Sequence, residues 1–119
     1  MRIGIPAEIK TDEYRVAIVP TGVHACTQLG HTVRIERGAG MGSGITDTAF
    51  QEVGAMLCER EEVFAESDMI MKVKEPVAEE WPLLRPGQIL YAYLHLAAAP
   101  VLAHVLLERQ VSAVAFETI

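Results

Sequence analysis

Five short runs rich in Val and Ile recur along the chain, at 2–6, 31–37, 67–73, 88–94 and 111–117. They are mostly continuous rather than alternating. A strand that is apolar on successive residues has no solvent face, so it belongs inside a sheet covered on both sides. Helical stretches separate the runs, at 20–29, 46–53, 59–65 and 100–110. Thr46 opens the second of these as an N-cap, and Gly30 and Gly54 end the first two. Pro100 takes the first position of the last. Strand–helix alternation of this kind predicts an α/β three-layer sandwich with a mainly parallel, doubly wound (Rossmann-like) sheet. With 119 residues, half of them apolar, the chain is long enough for one such domain spanning 1–119.

One segment competes with that reading. Residues 89–107, ILYAYLHLAAAPVLAHVLL, carry no formal charge and are long enough to span a bilayer. Yet His95 and His104 lie within them and Pro100 interrupts the middle. A strand over 89–94, a loop, and a helix from Pro100 are expected instead. The opening MRIGIP is a strand pattern rather than a secretory leader. Cys26 and Cys58 form no C-x-x-C or Cys/His cluster, so no metal site is expected and both read as idle thiols in a reducing cytoplasm. A net charge of −6 argues against nucleic acid as a partner.

The stretch GAGMGSGITD, residues 38–47, places glycines at 38, 40, 42 and 44 and invites a nucleotide-loop reading. The dinucleotide fingerprint G-x-G-x-x-G fails in every register, because its third position falls on Ser43, Ile45 or Asp47. No Gly-Lys-Ser/Thr ending is present for a phosphate loop. A connector shaped by backbone needs is the better expectation.

Open α/β sheets bind ligands at the carboxyl ends of their strands. The first strand ends near Glu8, the third run near Lys74 and the fourth near His95, while Arg15 follows in TDEYRVAIVP. An arginine fork, a lysine point charge and an imidazole on one rim suit a small acid that bears a carbonyl. Each has a plainer alternative: Lys74 as a surface partner of Glu75, His95 as a satisfied histidine under a loop, Arg15 as a surface charge beside Asp12 and Glu13. Lys72 alternates to the opposite strand face and is the weaker candidate. His24, His31 and His104 fall in helix or strand-start contexts.

Four segments, IGIPAEIK…EYRVAIVPTGV, GHTVRIERGAGMGSGITD, MIMKVKEP and YLHLAAAP, together resemble the N-terminal region of the alanine dehydrogenases. The resemblance runs in order along essentially the whole chain. The α subunit of nicotinamide nucleotide transhydrogenases shares the opening motifs, and YLHLA favours the alanine dehydrogenase side. The resemblance implies an NAD-dependent enzyme that interconverts L-alanine with pyruvate and ammonia. It implies that Arg15 holds the pyruvate carboxylate, that Lys74 contacts carboxylate and carbonyl oxygens, that His95 is the acid–base residue and that Tyr93 lines the pocket beside it. In that family NAD is bound by a later Rossmann domain, so the cofactor is expected outside this chain, which alone is expected to be inactive. A homo-oligomer, possession of the NAD-binding domain in trans, and a cytoplasmic location are further implications, with no membrane partner. Ala7 stands where the family usually has lysine, and Tyr14 where it usually has asparagine. Two other readings stay open: a stand-alone small-molecule-binding or interaction module that kept the fold without the reaction, and part of a transhydrogenase α subunit.

Overall fold

A computed structural model describes residues 1–119. Six strands are present: β1 (Arg2–Ile5), β2 (Thr32–Glu36), β3 (Met56–Cys58), β4 (Met69–Met71), β5 (Ile89–Ala92) and β6 (Ser112–Ala115). Four α-helices connect them: α1 (Pro20–Gln28), α2 (Asp47–Glu52), α3 (Arg60–Ala65) and α4 (Pro100–Glu108). The strands form one sheet in the order β3-β2-β1-β4-β5-β6, and every pair is parallel. The expected α/β sandwich is therefore observed. The chain lays β1, β2 and β3 outward in one direction, then returns to place β4 against the free side of β1. That reversal opens a crevice at the carboxyl ends of β1 and β4.

Strand alternation sorts the core into two faces. Ile3 and Ile5 of β1, with Val33 and Ile35 of β2, pack with Val23 of α1 and Phe50 of α2. Ile70 of β4 and Leu90 and Ala92 of β5 pack with Val63 and Phe64 of α3 and Leu102 and Leu106 of α4. Gly4 faces the second group, where α3 comes so near that a Cβ there would lie 2.9 Å from the Val63 carbonyl oxygen. The helix starts follow local chemistry. Thr46 Oγ1 accepts the Ala49 N–H at 3.1 Å, and Pro20 and Pro100 open α1 and α4.

Two sequence expectations need adjustment. β3 is an additional strand, three residues long on the sheet edge, too short to show a period. The last run, expected to stay extended to Glu117, turns into a 3-10 helix at Phe116–Thr118. The apolar stretch 89–107 divides as expected into β5, a 3-10 turn at Leu96–Ala98, and α4. No helix is long and apolar enough to cross a membrane.

Candidate active site

The crevice between β1 and β4 is floored by a chain of buried charges. Glu8 follows β1, and its carboxylate accepts Lys72 Nζ at 3.1 Å, Val73 N at 2.9 Å and Lys74 N at 3.0 Å. Lys72 Nζ also reaches Glu80 at 3.3 Å. The side chains of Glu8, Lys72 and Glu80 are each only 1% exposed. Arg60 on α3 extends the chain to Glu36 at the end of β2, at 2.9 and 3.0 Å, and donates to the Ala7 carbonyl at 3.2 Å. Burial pushes the Glu80 carboxyl above the ordinary range, while Lys72 and Arg60 pull against that rise. Lys72 thus departs from its expected minor place: its strand face is the interior, where an ammonium survives only when paired. A lysine directly after Met-Ile-Met was the available signal for this network. Glu36, Arg60 and Glu80 carried none.

The expected residues sit on the rim above this floor. Lys74 is placed by its own N–H on Glu8. Arg15 grips Glu13 with Nε and Nη2, both at 2.8 Å, and its backbone N–H meets the same carboxylate at 3.0 Å. The Arg15 fork holds the Glu13 carboxyl down at about 2, against the effect of burial, with a smaller pull from Lys74. A small pocket of about 150 Å³ separates Arg15 and Glu13 from Gly38, Ala39 and Gly42. His95 turns the chain with a left-handed φ of 51°. Its Nδ1 lies 3.3 Å from Glu75 Oε2, and Glu75 also pairs with Lys10. Burial pushes the Glu75 carboxyl up, but the bonds from Lys10, its own backbone and His95 outweigh this and leave it low. The Tyr93 ring stacks near His95, centroids 6.2 Å apart, and packs edge-on against Phe116 at 5.0 Å. His95 also borders an open, mostly apolar cleft of about 510 Å³ beside β6.

No hydrogen bond joins Arg15, Lys74 and His95 directly. Arg15 holds its proton more firmly than a free guanidinium chiefly because of Glu13, and Glu8 and the Tyr93 phenol add to the hold.

Two carboxylates make a pH prediction, Glu13 on the Arg15 loop and Asp68 beside Arg2 at the amino ends of β4 and β1. Glu13 and Asp68 titrate near 2 in the folded chain, against 4.5 and 3.8 for the free groups. Their folded values are depressed, so their stabilising share is complete above pH 4.5 and is lost as pH falls toward 2. Glu13→Gln is expected to flatten the acid limb of a stability–pH curve measured by urea unfolding. An acid limb identical to wild type would show that the pairing with Arg15 does not hold Glu13 ionised.

The glycine-rich loop packs tightly against its neighbours. It folds as a 3-10 turn, Met41–Ser43, and its inner surface is already occupied. A Cβ on Gly40 would lie 2.7 Å from Phe50 Cε2, and one on Gly42 would lie 2.8 Å from the Tyr14 carbonyl oxygen. Gly38 and Gly44 supply positive φ at the loop ends, at 80° and 76°. Of the two thiols, Cys58 is buried, and that burial pushes it up to about 11, so it is inert at neutral pH.

Residues 4–119 match the family model described as the alanine dehydrogenase/PNT N-terminal domain. An alanine dehydrogenase of Bilophila wadsworthia is 50% identical over 119 residues, covering 100% of this chain and 32% of that protein. One from Mycobacterium tuberculosis is 48% identical over 120 residues, with the same coverage of each. Among solved structures, an L-alanine dehydrogenase superposes with a TM-score of 0.97 at 40% identity, covering 99% of this chain and 33% of its own. A transhydrogenase from Sinorhizobium meliloti gives 0.94 at 27% identity, covering 98% and 35%. The chain spans about a third of the length of these relatives.

Proposed function

The chain belongs to the alanine dehydrogenase/PNT N-terminal domain family, and we propose that it is the substrate-holding domain of an NAD-dependent alanine dehydrogenase. The observation that carries this reading is the pocket at the β1–β4 reversal, lined by Arg15 and by Glu8, whose carboxylate anchors the Lys74 backbone, with His95 just beyond β5. On this reading the α-carboxylate of pyruvate or L-alanine pairs with the Arg15 fork, a geometry suited to bidentate hydrogen bonds. Lys74 sits beside the carbonyl as a point charge. A carboxylate such as Glu75 only accepts, so His95 Nδ1 carries a hydrogen toward it and Nε2 faces the substrate. When ammonia adds to the keto carbon, the carbonyl π pair moves to oxygen and imidazolium Nε2 supplies the proton. Loss of that oxygen as water leaves an imine. In the deamination direction His95 takes the proton back. NAD is assigned to a part of the polypeptide outside residues 1–119, in line with the filled glycine loop. Exposed apolar side chains on α4 and β6, Val101, Leu107 and Val114, support a second reading of the same molecule as one subunit of a homo-oligomer.

The test uses the full-length polypeptide that carries this domain. Wild type is expected to oxidise NADH with pyruvate and ammonium. Arg15→Ala is expected to raise the pyruvate KM by roughly 10–150-fold, corresponding to about 1.5–3 kcal/mol for a lost charge-assisted bond. The change should fall mainly on KM. A wild type without amination, or an Arg15→Ala KM within about twofold of wild type, overturns the reading.

A further inference from the structure

We propose that the glycine-rich strap 38–44 is a positioning element for Arg15, fixing the Tyr14 carbonyl and with it the height of the guanidinium fork on the rim. The proposal rests on the keto-acid reading above and assigns the strap a part in it. Arg15 needs such support. It lies between β1 and α1 in a stretch without regular structure, and its side chain is 62% exposed. Little packing therefore orients it, and Glu13, on the same loop, cannot anchor that loop to the sheet.

The strap supplies the anchor from a different element. Ser43 Oγ donates to the Tyr14 carbonyl oxygen at 2.9 Å. Gly42 lies against the same carbonyl, where a Cβ would come to 2.8 Å from Tyr14 O and 3.2 Å from Tyr14 Cβ. A contact below 3.0 Å with backbone atoms cannot be relieved by a rotamer change, so only glycine permits this approach. The strap is itself rigidly held. Gly38 N donates to Asp47 Oδ1 at 2.9 Å, Ile45 N to Gly40 O at 2.9 Å, and Gly40 is wedged against the fully buried Phe50. The strap, Tyr14 and Arg15 all line the 150 Å³ pocket, so a displacement of Tyr14 changes its shape. The alternating glycines therefore divide the labour: Gly38 and Gly44 turn the chain, Gly40 seats it on the core, and Gly42 meets the arginine loop.

The test is steady-state amination by the full-length enzyme. Gly42→Ala is expected to raise the pyruvate KM roughly 5–30-fold, with kcat within about threefold and the NADH KM unchanged. Ser43→Ala introduces no clash and reads the same tie should Gly42→Ala not fold; its expected rise is about 2–5-fold. Gly54→Ala, at a positive φ of 101° outside the strap, is the control for a general loss of stability and should lower the melting temperature without moving the pyruvate KM. In an Arg15→Ala background, Gly42→Ala should add nothing. A wild type that aminates pyruvate, with KM unmoved in both Gly42→Ala and Ser43→Ala, overturns the strap's role alone. So does an equal rise in Gly54→Ala. A wild type that does not aminate overturns the keto-acid reading and the strap's role with it.

Discussion

Replacing His95 by alanine in the full-length enzyme is expected to lower amination turnover by about 10²–10⁴-fold, the range for a positioned proton-transfer group. The backbone at His95 is the reason to expect the upper part of that range. A φ of 51° is uncommon for a residue with a side chain and persists only where the surroundings impose it. Here Glu117 imposes it. Its two carboxylate oxygens accept Leu94 N at 3.1 Å and His95 N at 2.8 Å, and the bond from His95 is the leading cause of its lowered carboxyl. Glu75 then fixes the ring by accepting from Nδ1. Backbone and ring are thus held by two separate carboxylates, and Nε2 makes no hydrogen bond within the chain. Alanine removes the proton carrier and its bond to Glu75 but leaves the backbone bonds to Glu117, so the loss should appear in kcat with the pyruvate KM little changed. Turnover within about twofold of wild type would make His95 a structural residue of the β5 turn.

Most of the sheet was legible because parallel strands covered on both faces must be apolar at successive positions, and three of the four helices announced themselves by a proline, a threonine cap or a closing glycine. β3 escaped because three residues on an edge carry no period. Lys74 and His95 were legible as chemistry-bearing residues at strand ends. Arg15 lies in coil, so its signal was weaker, a guanidinium just before an apolar run, and the resemblance to a family sharpened it. The buried network was the least legible part. Glu8, Glu36, Arg60, Lys72 and Glu80 come from five separate segments, and only the fold makes them neighbours. The glycine loop shows the same limit. Its spacing displays backbone freedom, but which glycine meets Tyr14 and which meets Phe50 is decided by tertiary packing.

Lys72→Met is expected to destabilise the chain by about 3–5 kcal/mol, measured by urea unfolding, because it strands two carboxylates in the interior. Methionine nearly fills the lysine's volume, so the deficit reports charge rather than a cavity. Two further results separate that cause from a packing fault. Adding Glu80→Gln to Lys72→Met should recover part of the loss, since one uncompensated charge is then gone. The pH dependence should also invert locally. Burial already holds the Glu80 carboxyl above its free value of 4.5, and Lys72 is the first attraction opposing that rise. Without Lys72 the carboxyl rises further. A group whose folded value is raised binds its proton more tightly in the folded state, so its penalty is absent at low pH and grows as pH climbs past 4.5. The gap between variant and wild type should therefore be narrow near about pH 4 and widest at neutrality. Glu13 and Asp68, held down at about 2, are ionised at both ends of this comparison and do not contribute to the change in the gap. A deficit below about 1 kcal/mol, or one that does not change with pH, would mean that Lys72 is solvated and that the floor of the site is not a closed ion network.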